Sequence, residues 1–161
     1  IVELDEPVRQ AMREAIALQV RLAPFTLSAS WCLIMWFNLA GGYKIAKMSG
    51  RLARPGFSLS DAELPNMIVV IFAIALAASF LAPPLSLIGA AFTGSLSAGL
   101  VLLGFNTLHV LTRQNPFRGF LLGFVYATTL LFVIPIFIMF LLGFGDLIFK
   151  IRQRYRAAYP S

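Results

Sequence analysis

Three long stretches of the chain contain no Asp, Glu, Lys or Arg: Leu22–Tyr43, Leu64–Thr112 and Gly119–Gly145. A helix rises about 1.5 Å per residue, so roughly 20 apolar residues cross about 30 Å of hydrocarbon. Each stretch reaches that length, and the middle one is long enough for two crossings. Only 12% of the residues are charged, whereas a soluble domain carries about 25%. We therefore predict an all-α fold, a polytopic membrane helix bundle.

The predicted bundle has about four transmembrane helices after an N-terminal amphipathic helix. Pro83-Pro84 divides the middle stretch because proline lacks an amide donor and restricts the preceding residue; a shallow hairpin is the alternative. Pro135 predicts a kink in the last crossing. The single membrane domain, 1–161, is expected to comprise an amphipathic helix at 6–22, crossings at 24–45, 66–82, 85–112 and 119–146, a loop at 46–65 and a basic tail at 147–161.

The first helix carries an apolar stripe at four-residue spacing, formed by Val8, Met12, Ile16 and Val20. A helix of this kind either lies at the membrane surface or packs against other parts of the same protein. The chain begins with Ile1 rather than with Met. We therefore expect it to be the C-terminal portion of a longer protein.

The net charge of +6 comes from Lys and Arg beside the apolar stretches. Such residues contact anionic lipid headgroups, so the lipid bilayer is the expected partner and nucleic acid is not. With four crossings, seven Lys or Arg fall on one side of the membrane and six on the other. The positive-inside rule then gives no orientation, although the clustered basic tail slightly favours a cytoplasmic C-terminus.

Small residues recur at four-residue spacing along the third predicted crossing, which lets helix backbones approach closely in lipid. The last crossing begins with the same spacing of two glycines. Helix packing is the favoured interpretation, and the lining of a cavity is the alternative. The predicted packing residues are Gly89, Thr93, Gly94, Ser97, Ala98, Gly119 and Gly123.

Polar side chains gather at the end of the third crossing, where Asn106, His109 and Arg113 share one helix face. Polar groups in membrane helices tend to face the protein interior, because lipid offers them no hydrogen-bond partners. These residues, with Asn38 of the first crossing, are the candidate ligand-binding residues. The favoured alternatives are that His109 and Arg113 anchor the helix end at the headgroups and that Asn38 bonds between helices.

The sequence argues against an enzyme. One histidine cannot form a multi-histidine metal site, and no nucleophile, base and orienting carboxylate occur together. The single cysteine, Cys32, excludes a disulfide within one chain. We therefore predict no catalytic residues, no metal ligands and no cofactor.

The order of elements in about residues 55–156 resembles the YybS-like group, a bacterial multi-pass membrane family of unknown function. The likeness includes a small-residue helix that ends in Leu108-His109-Val110-Leu111, and a final helix that closes on Gly145-Asp146 before a basic tail. This chain has Asn106-Thr107 where the family has Gln-Gly. The family is distantly similar to the substrate-binding components of vitamin transporters, which implies a solute-binding role in a bacterial inner membrane.

Two functions follow as hypotheses. The protein binds or helps to move a small solute in a cavity lined by Asn38, Asn106 and His109. Alternatively, it is an accessory subunit that packs against other membrane subunits, or against its own copies, through its small-residue face and N-terminal helix. The sequence does not identify the solute or the oligomeric state.

Overall fold

The computed structural model describes residues 5–50 and 64–158. These residues form helices and no strand, which confirms the predicted all-α class. Apolar stretches of this length favour helices, because a helix satisfies its backbone groups internally. In chain order the helices are α1 (Glu6–Met48), α2 (Met67–Ala78), α3 (Leu85–Leu111), α4 (Arg118–Leu131), α5 (Ile134–Phe149) and α6 (Ile151–Ala158).

α1 is one continuous helix of 43 residues, although the sequence predicts two helices, at 6–22 and 24–45. Pro24 lies inside it. A proline removes only one backbone donor, and the residues on both sides keep their own helical hydrogen bonds. The loop predicted at 46–65 begins only after Met48, and its residues 51–63 lie outside the described part of the chain.

α2 and α3 form a helical hairpin around Pro83-Pro84. α2 has 12 residues, about 18 Å at 1.5 Å per residue, and is shorter than the crossing predicted at 66–82. α3 covers the range predicted for the third crossing, apart from its last residue. A Cβ atom at Gly89 would stand 2.5 Å from the backbone nitrogen of Ser79, so the absent side chain lets the two helices touch.

α1 packs along α3 in the same direction. The closest approach is at Gly94, where an added Cβ would collide with the carbonyl of Phe25 and the hydroxyl of Ser28. Half-buried positions continue along α1 from Ala23 to Ala46, whereas residues 10–22 are all exposed. Most of α3 lies on the C-terminal side of Gly94. The half-buried part of α1 also lies after the contact with Gly94, so it runs parallel to α3 towards the C-terminus of α3.

The last apolar stretch is two helices rather than the single kinked crossing predicted at 119–146. The axes of α4 and α5 are bent by 120°. Phe132 has extended backbone angles, and Pro135 lies in the first turn of α5. Proline suits a first turn because its missing donor has no helical partner there, so Pro135 begins a new helix.

Both ends of the α4–α5 pair lie beside the C-terminal half of α3. Leu147, near the end of α5, packs with Leu100 and Leu103 of α3. At the start of α4, Arg118 reaches His109 of α3. The α4–α5 pair therefore begins and ends at the end of the bundle where α3 ends.

Among the described residues, two helices, α1 and α3, are long and apolar enough to cross a membrane, and the bent α4–α5 pair would be a third candidate if it counts as one span. The prediction of about four crossings is therefore not confirmed. α3 occupies the centre, where it contacts α1, α2, α5 and α6.

Candidate functional site

His109 is the centre of a polar cluster between α3 and α4. Its Nε2 atom lies 2.6 Å from the hydroxyl of Tyr126, and its Nδ1 atom lies 3.5 Å from a guanidinium nitrogen of Arg118. Because arginine can only donate, this arrangement places the ring proton on Nε2, which donates to Tyr126. The Tyr126 ring stacks on Phe105, with centroids 5.3 Å apart.

The guanidinium beside His109 belongs to Arg118 and not to the predicted Arg113, which is exposed just beyond the end of α3. The turn between α3 and α4 is the reason that Arg118, rather than Arg113, lies beside His109. Asn115 accepts a hydrogen bond from the backbone of Phe117, at 2.9 Å, a local pattern that favours chain reversal. The Asn115-Pro116 pair was the sequence signal that could have indicated Arg118.

The structure separates Asn38 from this cluster. The half-buried stripe of α1 includes Trp36, Ala40 and Tyr43. At 100° per residue, Asn38 stands about 200° from Trp36 and Ala40, and it is exposed on the opposite face. Asn106 is half-buried on α3, one turn before His109. The described residues thus bring Asn106 and His109 together on α3 and leave Asn38 and Arg113 outside.

The predicted packing residues divide between covered and open positions. Gly89, Thr93, Gly94 and Ala98 are buried and Ser97 is half-buried, all on α3. By contrast, a Cβ at Gly119 or at Gly123 would meet no atom within 4 Å in the described structure. The α4 pair therefore does not form a helix contact here.

The tightest helix contact involves two glycines that are not among the predicted packing residues. An added Cβ at Gly104 would collide with the carbonyl of Met139, and one at Gly143 with the carbonyl of Leu100. Gly104 continues the small-residue row of α3, since it lies seven residues after Ser97. Extending that row would have identified it, but Gly143 stands in an apolar run without such a pattern.

A buried ion pair fixes the junction between α5 and α6. One oxygen of Asp146 accepts from the backbone of Arg152 at 2.8 Å, and the other accepts from its Nε atom at 2.6 Å. The two side chains are 4% and 9% exposed. Lys150, which has a left-handed backbone, ends α5 and separates it from α6. Asp146 thus holds the start of α6 against the end of α5.

Beside this junction lies a cleft of about 530 Å³. Its apolar floor is formed by Leu64, Leu103 and Leu147, and cationic side chains of α6 and of the α5–α6 junction stand around it. The cleft lies at the end of the bundle where α2 begins and α5 ends. Its basic rim was predicted only as a tail, because the sequence did not show that the tail folds back on the bundle.

No family model, curated protein or solved structure matches this chain. The resemblance to the YybS-like group therefore stays a prediction.

Proposed function

We propose that this chain is a non-catalytic subunit of a larger assembly in a bacterial inner membrane. In this arrangement α1, α3 and α2 with its following turn cross the bilayer. The α4–α5 pair enters the membrane and returns to the same side as a re-entrant hairpin. Its partners are other membrane subunits or further copies of the chain.

The break between α4 and α5 carries this proposal. Within the described residues, no backbone amide donates to the carbonyls of Leu130, Leu131 or Phe132. Backbone groups left unpaired in hydrocarbon cost several kcal/mol each, and irregular backbone at membrane depth is tolerated only where protein or water covers it. The side chains around this break are large and apolar, with Leu130 87% exposed and Val133 78% exposed. An apolar protein surface suits this region better than a water-filled channel does.

The re-entrant hairpin also changes the charge balance between the two sides. In this topology the described Lys and Arg residues of the α3 C-terminal side outnumber those of the opposite side by eight to three. Cytoplasmic loops carry the excess of Lys and Arg, so this side is cytoplasmic. The eight residues are Lys44, Lys47, Arg113, Arg118, Lys150, Arg152, Arg154 and Arg156, and the three are Arg9, Arg13 and Arg21.

Photo-crosslinking tests the proposed assembly. Leu131 at the break and Leu39 on α1 have nearly the same exposure, 75% and 74%, so a benzophenone amino acid at each position makes a matched pair. In native membranes we expect Leu131 to give a stoichiometric adduct with a protein subunit, and Leu39 to give mainly lipid adducts. Lipid adducts alone at both positions would contradict the assembly.

A solute-binding role remains the second candidate. Asn106 and His109 lie near the C-terminal end of α3, and Arg118 and Tyr126 of α4 contact His109 there. Half-buried polar groups within a membrane helix often mark a ligand or proton pathway. Mass spectrometry of small molecules retained by the purified protein tests it. Retention should fall in Asn106→Ala and His109→Ala but not in Arg113→Ala. Equal retention in all three variants would remove this candidate.

A further inference from the structure

The contact between Arg118 and α3 depends on the charge of a titratable side chain. A guanidinium nitrogen of Arg118 lies 3.5 Å from Nδ1 of His109, and Nδ1 can accept a hydrogen bond only while the ring is neutral. A histidine ring that takes up a proton carries N–H groups on both nitrogens. Nδ1 then presents a donor to another donor, and two positive charges face each other at this distance.

The contact between His109 and Tyr126 responds differently. Nε2 of His109 lies 2.6 Å from the hydroxyl of Tyr126, and it keeps its proton in both states of the ring, so it donates to Tyr126 whether or not the ring is charged. The stack of Tyr126 on Phe105 does not involve the proton either. Protonation therefore acts on the start of α4 and leaves the middle of this helix attached to α3.

The surroundings of Arg118 allow it to leave the ring. His109 and Arg118 are both half-buried, so a proton from solvent can reach the ring without opening the bundle. Phe117 and Gly119 beside Arg118 are exposed, and a long arginine side chain can extend from such a position to headgroups or water. No residue of α4 as described is buried, so packing holds its first turn only weakly.

Other charged and titratable side chains lie on the helices around this part of α3. Those of α1 near its end, of the end of α3 and of α4 are Tyr43, Lys44, Lys47, Arg113, Arg118 and Tyr126. α5 contributes Asp146, which is paired with Arg152 of α6, and α2 has an entirely apolar sequence. Whichever of these groups lie nearest the ring, a proton on Nδ1 cannot form a hydrogen bond with a guanidinium.

We propose that protonation of His109 releases Arg118 and loosens the first turn of α4, which makes this end of the α4–α5 pair sensitive to pH. The neutral ring favours the docked turn and the protonated ring favours the released one. Docking is therefore favoured at about pH 8 and weakens towards about pH 5, the range in which histidine changes its charge. The switch needs only α3 and α4, so it does not rest on the proposed assembly or on the re-entrant path.

The test uses the full chain in a neutral detergent at about pH 8 and about pH 5. Hydrogen exchange is measured at the amides of Leu122 and Leu121, the second of which donates to the carbonyl of Phe117. Each rate is divided by the chemical exchange rate of an unstructured chain at the same pH. We expect protection to fall about tenfold or more at the lower pH, the factor that corresponds to one lost hydrogen bond to a charged group.

The assigned proton positions can be measured directly, because the chain has one histidine. NMR of its isotope-labelled ring nitrogens should show a proton on Nε2 alone at the higher pH and on both nitrogens at the lower pH. A neutral ring with its proton on Nδ1 would contradict the hydrogen bond from Arg118 and overturn the switch.

His109→Gln and Arg118→Gln should each abolish the pH response. Glutamine at position 109 gains no proton in this range, and glutamine at position 118 can turn its amide to offer the ring either a donor or an acceptor. Arg113→Gln is the matched control, since it removes the same charge at an exposed position just beyond α3, and it should keep the full response. An unchanged response in His109→Gln, or equal protection at both pH values in the unsubstituted chain, would overturn the switch. An equal loss of the response in Arg113→Gln and Arg118→Gln would overturn the role of Arg118.

Discussion

At the residue scale, the contact between α3 and α5 depends on two missing side chains. Gly104→Ala and Gly143→Ala each place a Cβ against a backbone carbonyl of the facing helix, and backbone cannot move aside as a flexible side chain can. We expect each change to reduce the free energy of unfolding by about 1–3 kcal/mol, the usual cost of overpacking. Thermal unfolding in detergent measures it.

Gly119→Ala and Gly123→Ala are the controls for this prediction, since their added methyl groups meet open space in the described structure. Alanine also has the higher helix propensity, so these two variants should be unchanged or slightly more stable. Similar losses at all four glycines would show that helix packing is not the cause.

The Asp146–Arg152 pair is the second residue-scale determinant. Asp146→Asn leaves a buried guanidinium without its carboxylate, and breaking such a pair by removing one partner costs about 3–5 kcal/mol. We expect amide hydrogen exchange of α6 to increase strongly. The double variant Asp146→Leu with Arg152→Met should recover part of the protection, because both buried charges are then replaced by apolar side chains. A double variant less protected than Asp146→Asn would count against this explanation.

At the element scale, the α4–α5 hairpin predicts which side of the membrane each end reaches. In a Cys32→Ser background, single cysteines at Gln114 and Ala157 should react with an impermeant maleimide from the same side of sealed vesicles. Both positions are exposed in the structure, and four full crossings would place them on opposite sides. A cysteine at Gln10 serves as the control and should react only from the other side. Labelling of Gln114 and Ala157 from opposite sides would contradict the hairpin.

The sequence predicted those elements whose limits are set locally. α3 begins directly after Pro84 and ends where its apolar stretch ends, so its range needed no tertiary information. The small-residue row on α3 was likewise readable from its spacing. In the last apolar stretch, Pro135 is compatible with a kinked helix or with two separate helices, so the sequence alone did not decide between them. The packing of Gly143 on Gly104 joins residues far apart in the chain, and local spacing does not indicate it. For the same reason the sequence suggested Arg113 beside His109, since only the turn at Asn115 brings Arg118 there.

At the scale of the whole molecule, the N-terminal part of α1 continues a helix that is long and apolar enough to cross a membrane, and the described bundle leaves this part uncovered. Met12 and Ile16 are 50% and 52% exposed. Exposed substitutions usually change stability by less than about 0.5 kcal/mol. We therefore expect Met12→Glu and Ile16→Glu to leave the unfolding temperature of the detergent-purified chain unchanged, whereas Ala29→Glu, at a half-buried position of α1, should lower it. A loss of stability in the first two variants would indicate that this segment packs on its own chain.

The start of α4 and the end of α5 lie at the same end of the bundle, and this affects how the protein is inserted and folded. In the proposed arrangement the hairpin transfers no flanking loop across the membrane, so translocation of a following segment cannot anchor it. The hairpin must instead dock onto α3 after α3 has been inserted, with the contact between Gly104 and Gly143 as its attachment. Biogenesis of the C-terminal part is then a docking reaction that is separate from membrane insertion. A substitution that weakens this contact would therefore give a chain of correct orientation with an undocked apolar hairpin, a substrate for membrane quality-control proteases.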